Sequence, residues 1–209
     1  VRVHAHTGWS DQHGMNTRLL ILVGGAAIGL SGTDAMATDY YVRVTGSNGS
    51  SGLSPAAAFR TVDYAAGVAT AGDTVYVGAG TYAEAVTPSN DGTSGSPISF
   101  VADTSGSQTG DAGEVVLQAI NAGGNALIVD GDNYLTFRGF IIEGGKDTVR
   151  WKSSVGGRLE SCVIRDSVDD LIEVTGNSEL TITGCAISGV GDDAVDVSSG
   201  HVVVARPTL

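Results

Sequence analysis

From residue 126 onward the chain repeats itself. The segments ALIVDGDNYLTFRGFIIEGGKD (126–147), TVRWKSSVGGRLESCVIRDSVDD (148–170), LIEVTGNSELTITGCAISGVGDD (171–193) and AVDVSSGHVVVARPTL (194–209) align with a period of 22 to 23 residues. Val129, Trp151, Val174 and Val197 share one column. Phe137, Leu159, Ile182 and Val204 share another, as do Ile142, Ile164 and Ile187, and Phe140, Cys162 and Cys185. Within each unit the apolar residues alternate, the period of strands with one face turned inward. A unit this short cannot bury its apolar face alone, so successive units must stack. Stacked at the interstrand spacing of about 4.8 Å, they form coils of short parallel strands. The expected fold is all-β, a right-handed parallel β-helix. Leucine-rich repeats have a similar period, but their Leu-x-x-Leu-x-Leu pattern is absent.

The residues before the repeat fit the same plan. YYVRV (40–44), TVYVGAGTY (74–82), SPISFVAD (96–103) and EVVLQAI (114–120) read as strands. Between the first two, Ser54 reads as a helix N-cap with Pro55 at the first helical position. Phe59, Val62, Ala66 and Ala69 then fall on one face, and Gly72-Asp73 ends the segment. A helix over 54–70 is expected, capping the N-terminal end of the solenoid. Cys162 and Cys185, the only cysteines, are expected to stack in the core as reduced thiols one coil apart, with a disulfide as the alternative.

Met15 opens an export signal over 15–37. Arg18 supplies its positive charge, Leu19–Leu30 an apolar run too short to span a bilayer, and Ala35-Met36-Ala37 a cleavage site. Residues 1–14 then read as a non-native upstream leader, and His4, His6 and His13 lack partners at zinc spacing. The mature β-helix domain, 38–209, is expected outside the cell or at its surface, with no membrane association after signal cleavage, and as a monomer. Its repeat stops in mid-coil at Leu209, so the domain is expected to continue in a longer protein. Lys and Arg number 11 against 23 Asp and Glu, a net charge of −12, which argues against a nucleic-acid partner.

That acidity gathers at one turn. In register, Asp147, Asp170 and Asp193 form one column, and Lys146, Asp169 and Asp192 the next. Arg150, Glu173 and Asp196 form an outward strand column just beyond. Asp169, Asp170, Glu173, Asp192, Asp193 and Asp196 can therefore crowd one patch. Two unit charges 4–5 Å apart repel by roughly 4 kcal/mol at an effective dielectric of 20. Calcium suits such a cluster, because it takes six to eight oxygens in flexible geometry. A solvated turn is the alternative, since Asp caps local N–H groups and accepts left-handed backbone angles, with Arg150 pairing with Glu173 across a coil.

The opening of the mature chain, DYYVRVTGSNGSSGLSPAAAFRTVDYAAGVATAGDTVYVGAGTYAEAV (39–86) followed by GTSGSPISFVAD, resembles that of secreted bacterial β-helix proteins of the pectate-lyase-like superfamily. Within it, Asp192-Asp193-x-x-Asp196, preceded one coil earlier by Asp169 or Asp170, is similar to the acidic cluster of polysaccharide lyase family 9. The resemblance implies a catalytic calcium on Asp169, Asp170, Asp192, Asp193 and Asp196, and an acidic polysaccharide as partner. It also implies a lysine base further along the coils, past the last residue of this chain. Among the residues present, Lys152 is the candidate base, with Arg150 and Arg165 behind it. The function expected is calcium-dependent β-elimination on a pectate-like uronate polymer. Two other classes stand beside it. A polygalacturonase-like hydrolase would also carry Gly191-Asp192-Asp193, but Asn-Thr-Asp before it and Gly-His-Gly after it are missing. A non-catalytic surface or adhesive β-helix would carry Asp in its turns for structure alone.

Overall fold

The computed structural model describes residues 36–189 and 191–205. The leader expected over 1–14 and all but the last two residues of the export signal over 15–37 lie outside the described residues, as do 206–209, on which the expected mid-coil end rests. Among the described residues no helix is long and apolar enough to cross a membrane.

The chain winds through about six turns of a parallel β-solenoid. It opens with β1 (Asp39–Val42), β2 (Thr74–Val77) and β3 (Gly80–Ala83). Four coils of three strands follow. They are β4 (Ile98–Ala102), β5 (Val115–Gln118) and β6 (Leu127–Asp130); β7 (Leu135–Arg138), β8 (Ile141–Glu143) and β9 (Val149–Lys152); β10 (Gly157–Glu160), β11 (Val163–Arg165) and β12 (Ile172–Thr175); and β13 (Ser178–Thr183), β14 (Ala186–Ser188) and β15 (Asp196–Val197). β16 (Gly200–Ala205) begins another. The first sheet runs β1-β2-β4-β7-β10-β13-β16, the second β3-β5-β8-β11-β14 and the third β6-β9-β12-β15.

The strand registers reproduce the sequence columns. Trp151 pairs with Val129 and Val174, and Val174 with Val197. Leu159 pairs with Phe137 and Ile182, and Ile182 with Val204. Ile164 lies between Ile142 and Ile187. Except for the exposed Val197 and Val204, these inward columns form one continuous core. Inside it the Phe100 and Phe137 rings stack at 4.5 Å and 6°, and Phe140 meets Phe137 edge-on at 6.2 Å. Cys162 and Cys185 are free thiols stacked one coil apart.

The corner from the first sheet to the second is built from left-handed residues. Gly139, Ser161 and Gly184 recur there with φ of 80°, 53° and 64°. Glycine has no steric penalty in this region, whereas an L side chain costs roughly 1–2 kcal/mol. A Cβ on Gly139 would find room, its nearest neighbour being the Ala102 Cβ at 3.5 Å. Gly139→Ala is therefore expected to lower stability by about 1–2 kcal/mol through the backbone alone. Chemical denaturation checks this, with Gly139→Asn as the milder comparison.

The segment expected as one helix over 54–70 is divided. Ser54 caps a short 3-10 turn, Pro55–Ala57, and the helix proper, α1, is Val62–Val68. Phe59 lies between them in extended backbone. Its N–H donates to the Tyr41 carbonyl and its carbonyl accepts from Arg43 N–H, so the segment pairs with β1. Thr61 is the N-cap of α1, its hydroxyl accepting from Tyr64 N–H. Glu84 accepts from the N–H groups of Val62 and Asp63, at 2.8 and 3.3 Å. Burying Phe59 against Tyr40 while extending the β1 edge outweighs the local preference for an uninterrupted helix.

Candidate functional site: an acidic turn at the entry to the third sheet

The turn from the second sheet to the third keeps its backbone ladder from coil to coil. Asp169 N–H donates to the Lys146 carbonyl and Asp192 N–H to the Asp169 carbonyl, both at 2.9 Å. In the adjacent column Thr148 N–H donates to the Asp170 carbonyl and Leu171 N–H to the Asp193 carbonyl, at 3.1 and 3.0 Å. The ladder holds each side chain over its counterpart one coil away, so a repeated acid becomes a stack of acids. Gly191 makes this spacing feasible in the last of these turns, because a Cβ there would overlap the Val168 carbonyl oxygen.

Asp169, Asp170 and Asp192 each present a carboxylate oxygen, and these three oxygens lie within 4.8 Å of one another. Asp193 sits outside that group; its N–H donates to Asp170 Oδ1 at 3.1 Å and steadies that carboxylate. Asp196 also sits outside it, paired in register with Glu173 on the outward face of the third sheet. Asp170 is held above the usual carboxylate range. Partial burial is the main cause, the Asp193 N–H opposes it, and the charges of Asp169, Asp196 and Asp147 add to it.

The cations around the turn are all engaged. Lys146 Nζ lies 3.0 Å from Asp169 and 3.4 Å from Asp147. The Asp169 hydrogen bond, then the charge of Asp147, raise its pKa above the ordinary lysine value. Arg150 pairs with Glu173 at 3.1 Å, and Arg165 with Glu143 at 2.7 Å. Lys152, the candidate base, is bound to Asp130 at 3.0 Å, on the side of its coil away from Asp192. The lysine in contact with the acids is thus Lys146. It shares the Asp169 column, and that shared column is the signal of the ion pair.

The donor set is all oxygen. Oxygens bound to one calcium at about 2.3–2.6 Å lie at most about 5 Å apart, and the three carboxylates meet that limit. No histidine or cysteine belongs to the group, so the chemistry favours a hard cation over zinc.

No protein-family model matches the chain, and no curated protein matches it. Solved structures do. The GH136 lacto-N-biosidase from Eubacterium ramulus superposes with a TM-score of 0.59 at 15% identity, over 73% of this chain and 34% of that one. Pectate lyase Pel9A superposes with a TM-score of 0.53 at 17% identity, over 81% of this chain and 53% of that one. The chain shares their β-helix fold. It spans about a third of the length of the first and about half of the second. A fold common to a glycosidase and a lyase does not choose between their chemistries, so the reading of function rests on the acids.

Proposed function

We propose that the chain belongs to an exported, monomeric, calcium-dependent polysaccharide lyase similar to family 9. In this reading it is a right-handed β-helix, covered at its N-terminal end by the 54–70 segment, that cleaves a pectate-like uronate polymer by β-elimination. The meeting of Asp169, Asp170 and Asp192 at one turn carries the reading. Pectate lyase Pel9A, which shares the fold, supports it. Asp169, Asp170 and Asp192 hold the cation, with Asp193 and Asp196 beside them. Calcium, when bound, supplies the positive charge that neutralises the substrate carboxylate and makes the neighbouring C5 proton more acidic.

The remaining work falls to the chain's own residues. Asp193 N–H orients Asp170. Lys146 holds Asp169 and releases it when the carboxylate takes up a cation. A lysine raised by two carboxylates stays protonated at neutral pH, so Lys146 is a poor base. Lys152 has to leave Asp130 before it can accept a proton. Among the described residues, no cation beside the turn stands free to act as the base.

The test is absorbance of the unsaturated uronate product on polygalacturonate, with and without a chelator. A signal lost on chelation and restored by calcium is the expected result. Reducing ends without unsaturation would instead assign a hydrolase. A second reading, a non-catalytic surface solenoid, is favoured by one observation: the acids of the turn already pair with basic side chains a coil away, Lys146–Asp169 and Arg150–Glu173. No product on any uronate polymer, together with no calcium binding by calorimetry, would select it.

A further inference from the structure

The acidic turn makes no use of the two cysteines. Cys162 is the buried residue just past the corner from the first sheet to the second, and Cys185 occupies the same place one coil on. The backbone holds them in register. Val163 N–H donates to the Phe140 carbonyl at 2.8 Å, and Ala186 N–H to the Cys162 carbonyl at 2.9 Å. Residues so paired have Cα atoms about 4.8 Å apart, inside the roughly 4.4–6.8 Å that a disulfide spans. The side chains also reach each other. Cys162 N–H donates to Cys185 Sγ at 3.4 Å, while the thiols themselves donate to backbone carbonyls, Cys162 to Phe137 and Glu160 and Cys185 to Leu159 and Thr183.

We propose that Cys162 and Cys185 form a modification site, closing to a cross-coil disulfide on reaction with a small disulfide oxidant. The two sulfurs have different roles. Cys185 is half-buried, and the hydrogen bond from Cys162 lowers its pKa to about 7. The neighbouring Cys185, with burial, pushes the Cys162 thiol up. The Cys185 thiolate attacks the oxidant, forms a mixed disulfide and expels one small thiolate. Cys162 then loses its proton, and its sulfur attacks the Cys185 sulfur and displaces the second small thiol. Two cysteine thiols are oxidised, and one small disulfide is reduced to two thiols. The bond closes residues 162–185 into a ring containing Asp169 and Asp170, and ties that coil to the one carrying Asp192.

Glutathione disulfide is the probe, with alkylation and non-reducing peptide mapping of the whole chain as the readout. Both thiols are expected to disappear together in a monomer, giving a Cys162–Cys185 cross-linked peptide that a reductant reverses. The rate should rise about tenfold per pH unit while Cys185 is mostly protonated, and level off above about 7. Cys162→Ala should stop at a stable glutathione adduct on Cys185. Cys185→Ser, a change at a half-buried site, should leave Cys162 unoxidised; it serves as the control if the first variant does not fold. A persistent glutathione adduct on wild-type Cys185, disulfide-linked dimers, or two thiols that stay alkylatable would each overturn the proposal.

Discussion

Phe137→Ala is expected to destabilise the protein by about 3–5 kcal/mol, the range for deleting a buried aromatic ring. The ring is fully buried, stacked on Phe100 and edge-on to Phe140. Below it lies Leu159, held in register by the strand ladder. In a solenoid the floor and ceiling of each core site are fixed by backbone pairing on both sides. The coils cannot close onto a vacancy without breaking that pairing, so the loss should fall in the upper part of the range. At about 2–4 °C per kcal/mol for a chain of this size, the melting temperature should fall by roughly 6–20 °C. Phe137→Leu keeps most of the volume and should cost about 1–1.5 kcal/mol. Val204→Ala is the internal control. It stands in the same column but is 67% exposed, so its cost should be a few tenths of a kcal/mol. Equal losses at Phe137 and Val204 would refute the stacked core.

Calcium is expected to raise the melting temperature, by about 5–10 °C at a hundredfold excess over its dissociation constant, from a gain of about 2.7 kcal/mol. Asp170→Asn tests the site by a change of sign. The folded protein holds the Asp170 proton more tightly than the unfolded chain does, so this group favours folding as pH falls through its raised pKa and opposes it above. Without calcium, Asp170→Asn should therefore be neutral or stabilising at pH 7. The amide retains an oxygen to accept from Asp193 N–H. With calcium, the same variant should lose most of the thermal gain, and Asp192→Asn should behave alike. Scanning calorimetry in calcium and in chelator reads both arms. A variant destabilised equally in the two would show that Asp170 serves the turn alone.

The inward columns were legible because two periodicities reinforce each other, two residues along a strand and 22 to 23 around a coil. The acidic stack followed from the same alignment, and of its acids Asp169, Asp170 and Asp192 bring carboxylate oxygens within 4.8 Å of one another. The extent of the helix was not legible. Ser54 and Pro55 carry a strong helix-start pattern, but Phe59 is claimed by β1, a contact that only the tertiary fold supplies. The roles of the lysines were readable only in part. Once the coils are aligned, Asp130–Lys152, Arg138–Glu160, Glu143–Arg165, Lys146–Asp169 and Arg150–Glu173 all prove to be neighbours one coil apart. Apart from Arg150–Glu173, which the shared outward column already offered as a cross-coil pair, they follow from reading the columns for opposite charges as well as for apolar residues.

These pairs bear on how the chain finds its own order. A column of valine, leucine and isoleucine is nearly indifferent to which coil lies beside which, because any member packs acceptably on any other. The outward charges are not interchangeable. If the coil of β10, β11 and β12 were skipped, Arg138 would face Thr183 and Glu143 would face Ser188, and two partners would be lost at once, although Lys146 and Arg150 would still meet acids at Asp192 and Asp196. Each exposed pair contributes little stability, but such a mis-stacked arrangement forfeits two together. The interior supplies adhesion common to all coils, and the surface carries an address that tells each coil its neighbour.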